Sequence, residues 1–125
     1  MASTLTEYLD RPRPKNCGAF VMGWLHETAG RDVTSKINVD PSEMTHGQWL
    51  RFIVSEGSLE DIARPLAKRM GLTVTDTPRV GDVGVVTTQF DVFGIRGRRG
   101  WHVMTDKGLA CLNVRHVIAW SVNHG

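Results

Sequence analysis

Two side chains in this sequence have the types and settings for covalent chemistry. Cys17 stands in "KNCGAF", residues 15–20, and His102 in "GWHVMTD", residues 100–106. Asn16 has the character of a helix N-cap, which puts Cys17 in the first turn of the helix that follows. A thiol there sits near the positive end of the helix dipole and near unpaired backbone N–H groups, and both favour the thiolate. A nucleophilic cysteine also needs a base within hydrogen-bond reach, usually a histidine. His26 lies nine positions along the same helix (26 − 17) and points away from its start, so His102 is the best-placed candidate. In a strand, alternation sets His102 with Met104 on one face and Trp101 with Val103 on the other. If paired, Cys17 would be the nucleophile and His102 its base. The competing reading makes Cys17 a small apolar residue and His102 a hydrogen-bonded strand residue.

The elements that must position this pair fall into a helical first half and a strand-rich second half. A short helix is expected at Thr4–Leu9, stopped by Pro12 and Pro14. Cys17, Phe20, Val21, Trp24, Leu25 and Thr28 then recur on one face of an amphipathic helix that closes at Gly30. Trp49, Leu50, Phe52 and Ile53 predict a third helix ending near Gly57. Ser58 and Asp61 form a capping-box-like start to a fourth. Its apolar face is Leu59, Ile62, Ala63, Leu66 and Met70, with Gly71 as the stop and Pro65 predicting a kink or a late start. From Val74 onwards, "VGDVGVVTT", "VFGIRG", "GWHVMTD", "GLACLN" and "HVIAWSV" read as about five short strands separated by turn residues. The whole reads as α+β, with N-terminal helices packed on a C-terminal curled antiparallel sheet.

Composition narrows the classes. At 125 residues, 41% hydrophobic and 22% charged, the chain has the make-up of one ordinary globular domain rather than a disordered one. A net charge of +2 is too small to predict nucleic-acid binding. The dense basic cluster "RGRRG", Arg96 to Gly100, reads as a hairpin turn with exposed arginines, and a contact to phosphate or anionic glycan is its second reading. Cys17 and Cys111 make neither a disulfide framework nor a zinc spacing, and the five histidines are scattered, so no metal and no cofactor are expected. No apolar run predicts a signal peptide or membrane span, and synthesis in the cytoplasm is expected.

The order of the motifs resembles the NlpC-type cell-wall peptidases, which are papain-like cysteine hydrolases. Asn16-Cys17 opening a helix, Gly81-Asp82 before a core strand, Phe93-Gly94-Ile95, and the hairpin into Trp101-His102-Val103-Met104 carry the likeness over about residues 15–122. With Phe20, Gly30–Asp32, Gly108-Leu109 and Ala119-Trp120-Ser121-Val122, it is nearest to a compact branch encoded in phage and prophage tail modules. The resemblance implies a papain-like fold in a single domain, residues 15–125, preceded by an arm over residues 1–14. It puts Cys17 at the nucleophile position and His102 approximately at the third polar position. Where the peptidases carry their base, this sequence has Val92, with Asp91 as the nearest polar group. A carboxylate is a poor replacement for imidazole at neutral pH.

Two functions follow as expectations. The first is a structural component of the phage tail tip or hub, with a degenerate peptidase fold and other tail proteins as partners. The second is a tail-associated cysteine peptidase or amidase that uses Cys17 and His102 on peptidoglycan stem peptides. Both imply location in the virion, at the tail tip. An intracellular thiol hydrolase unrelated to phage is the third reading.

Overall fold

The computed structural model describes residues 5–10, 16–29, 44–88, 90–105 and 108–122, without the side chains of residues 28, 29, 46 and 56. Gly30–Asp32 and most of the predicted arm outside its short helix lie outside the described residues. The helices are α1 (Leu5–Leu9), α2 (Cys17–Ala29), α3 (His46–Glu56) and α4 (Leu59–Arg69). The strands are β1 (Thr73–Val74), β2 (Val83–Thr87), β3 (Asp91–Arg96), β4 (Trp101–Thr105), β5 (Gly108–Leu112) and β6 (His116–Ser121). The fold is α+β, as the sequence predicts, with one open antiparallel sheet in the order β1-β6-β2-β3-β4-β5.

The sheet has six strands rather than five. The added strand is β1, whose two residues pair with Ser121 and Trp120 of β6. Two residues carry no readable alternation, so only pairing with a distant strand defines this element.

Asn16 caps α2. Its Oδ1 accepts from the Ala19 N–H at 2.8 Å, and its Nδ2 donates to the Met44 carbonyl at 2.9 Å. One buried side chain thus starts the helix and ties it to the segment before α3. Cys17, Phe20, Val21, Trp24 and Leu25 are all buried, as their spacing predicts. Removing such side chains from water contributes roughly 1.5–3 kcal/mol each for the larger ones. Tyr8 holds α1 against α2: its hydroxyl donates to the Phe20 carbonyl, and its ring lies 5.4 Å from that of Trp24.

Helix α3 starts at His46, three residues before Trp49, because Thr45 and Gln48 form a reciprocal capping box. In α4, Ser58 Oγ accepts from the Asp61 N–H at 3.1 Å. The helix begins on that cap and runs through Pro65, so the predicted late start does not occur. Leu59, Ala63, Leu66 and Ala67 bury its inner face.

The core lies between the helices and one sheet face, where Val83, Val85, Phe93, Ile95, Met104, Ile118 and Trp120 meet α2, α3 and α4. The other face carries Val86, Trp101, Val103 and Ala119. Trp101 lies over two cross-strand glycines, since a Cβ on Gly84 would come within 2.9 Å of its ring and one on Gly94 within 3.3 Å. Arg96 covers that ring at 5.8 Å. At the start of β2, the Gly81 carbonyl accepts from Trp24 Nε1 at 2.7 Å. Asp82 accepts from the N–H groups of Val122 and Arg79 at 3.0 and 2.8 Å. The Gly-Asp pair therefore fastens the start of β2 to α2 and to the end of β6. No helix among the described residues is long and apolar enough to cross a membrane.

Candidate functional site

Cys17 heads α2 where the sequence predicts it, but the helix delivers the thiol into the core. Only 3% of the residue is exposed. Trp49 of α3, wholly buried, donates its indole N–H to Cys17 Sγ at 3.1 Å. Gly18 makes this approach possible, because a Cβ there would stand 2.6 Å from the Trp49 ring. On the sheet side, the Phe93 backbone N–H reaches the sulfur and the Phe93 ring stands 6.1 Å from that of Trp49.

The electrostatics differ from those of the predicted thiolate. Burial raises the Cys17 thiol above its ordinary value and outweighs several opposing contacts. These are the N–H of Phe93, the indole of Trp49, and the N–H groups of Cys17 and Gly18. The helix start does supply donors, but desolvation of a charge deep in apolar packing costs more than they return. Cys17 is therefore a neutral thiol.

His102 occupies the predicted face of β4, with Met104 and opposite Trp101 and Val103. It pairs with Ile95 on β3 and with Cys111 on β5. Its Nε2 packs against Gly97, leaving no room there for a Cβ. Partial burial lowers its pKa, so the imidazole is held neutral. Among the described residues, no imidazole hydrogen-bonds to Cys17 Sγ. The residue of β3 that faces the thiol is Phe93, while Val92 packs between the two apolar clusters.

Two residues matter here that the sequence did not single out. Trp49 reads as a core aromatic, and nothing local shows that it meets a thiol 32 positions away. Cys111 reads as an isolated cysteine, and its place beside His102 emerges only from the β4–β5 register. No family model matches the chain, and no curated protein or solved structure is detectably similar to it.

Proposed function

We propose that the chain is a non-catalytic structural component of a phage tail tip or hub, built on a degenerate NlpC-type, papain-like peptidase fold. The ordered motifs from Asn16-Cys17 to Trp120 support the relationship. A helix headed by cysteine and packed on an antiparallel sheet is consistent with it. The observation that carries the loss of catalysis is the sealed, neutral Cys17 thiol, 3% exposed and bonded to an indole rather than an imidazole. In this reading Cys17 is retained as a small residue that accepts the Trp49 N–H, and the protein acts through its surfaces in the assembled tail.

The test compares wild type, Cys17→Ser and His102→Ala for release of peptidoglycan fragments from purified cell wall. Background release from all three is expected. Release by the wild type that either substitution abolishes would restore the peptidase reading. The tail role is tested separately. Phage carrying Cys17→Ser should remain infectious, and the protein should co-purify with tail-tip proteins from disrupted particles. Its absence from purified virions would overturn the assignment.

A further inference from the structure

Away from Cys17, an open groove of about 770 Å³ runs between α1 and the β3–β4 hairpin tip. Its polar lining is Thr6 on α1, Asp10 just past the end of α1, Arg98 and Arg99 at the tip, and His102 and Cys111 on the sheet, with Gly97 beside His102. The volume falls within the range of small-molecule sites, roughly 300–1,000 Å³.

The hairpin tip is built firmly. The Gly97 N–H donates to the Gly100 carbonyl at 2.7 Å, and Gly100 packs so closely on the Leu112 carbonyl that a Cβ would not fit. Arg98 and Arg99 are both exposed, and neither forms an ion pair with a described residue. Arg96, by contrast, is laid on Trp101 at the other sheet face. The basic cluster is thus divided, and its two uncommitted guanidiniums line the groove. Guanidinium matches carboxylate and phosphate oxygens with forked, charge-assisted hydrogen bonds.

His102 and Cys111 form the floor. They are directly opposed across β4 and β5, which sets their Cβ atoms about 4.5–5.5 Å apart on one face. Cys111 is a free, exposed thiol.

We propose that this groove binds a small ligand carrying a carboxylate or phosphate, with the anionic group between Arg98 and Arg99 and the body over His102 and Cys111. Asp10, just past α1, is the one carboxylate in the lining. The assignment does not depend on the tail role or on the chemistry of Cys17.

Cys111 supplies the readout on the intact protein. A dianionic aromatic disulfide (Ellman's reagent) and a neutral one (4,4′-dithiodipyridine) are reacted with the native chain. In each case the Cys111 thiolate attacks a reagent sulfur, forming a mixed disulfide and releasing the reagent thiolate. The groove should favour the anionic reagent, and Arg98→Gln with Arg99→Gln should lower that preference about tenfold. Inorganic phosphate and glutarate, tested separately, tell a phosphate from a carboxylate by which one slows labelling. Protection beyond that of sodium chloride at equal ionic strength supports the site. Equal reagent preference in wild type and the double variant, or protection no better than chloride, would overturn it. The protection arm needs no substitution, so it stands if the double variant misfolds.

Discussion

At Cys17, two physical effects of opposite sign meet at one sulfur atom. The helix start and the indole N–H favour the anion, burial opposes it, and burial prevails. The unfolded chain releases this proton from about pH 9.0, while the folded chain still holds it above that pH. The folded state therefore binds more protons there, and stability falls as pH rises above that point. Urea midpoints measured from pH 8 upward should decline, and Cys17→Ala should make the decline shallower; an unchanged slope would contradict the buried thiol. The same variant strands the Trp49 indole N–H and should cost about 1–3 kcal/mol at neutral pH. His102 works in the other direction. Its folded pKa lies below 6.5, so the unfolded chain gains a proton first as pH falls, and stability present above pH 6.5 is lost below it. His102→Gln should flatten this acid limb, as urea midpoints between pH 7 and 5 would show.

Among the elements, those with long apolar periodicity could be read directly from the sequence. α2 buries the face that the spacing of Cys17–Leu25 predicts, and α4 buries Leu59, Ala63, Leu66 and Met70 of its predicted face, with Ala67 buried in addition and Ile62 only half-buried. The start of α3 was hidden, because its cap lies in the polar run around Thr45–Gln48 and contains Gly47. β1 escaped because two residues hold no period. The Cys17 environment escaped for a different reason: it depends on where α3 docks, which no local pattern encodes. A pair of glycine substitutions separates the local and docking effects. Gly47→Ala meets nothing within 4 Å and should stabilise α3 by about 0.5–1 kcal/mol. Gly18→Ala offers a similar helix preference but drives a methyl into the Trp49 ring. It should destabilise by about 1–3 kcal/mol despite the better propensity. Chemical denaturation of the two variants measures both, and equal effects would mean that α3 does not dock on α2 through Trp49.

For the whole molecule, one sheet supports two apolar clusters, and its strands belong to both. Val85 and Phe93 face the helices, while Val86 and Trp101 serve the opposite side, so neither cluster can open without disturbing strands that the other requires. The α+β class was legible because helices and strands segregate along the chain. The cross-sheet row that brings His102 beside Cys111 was not, because it depends on register across the β4–β5 turn. The shared sheet predicts a single cooperative transition. All four tryptophans are buried, three of them in the helix-side cluster and Trp101 in the other. Tryptophan emission and far-ultraviolet circular dichroism should therefore give coincident urea midpoints. A Trp101→Phe variant, reporting only from the helix side, should show the same coincidence at a lower midpoint. A separate early transition carried by Trp101 alone would show that the two faces of the sheet unfold independently.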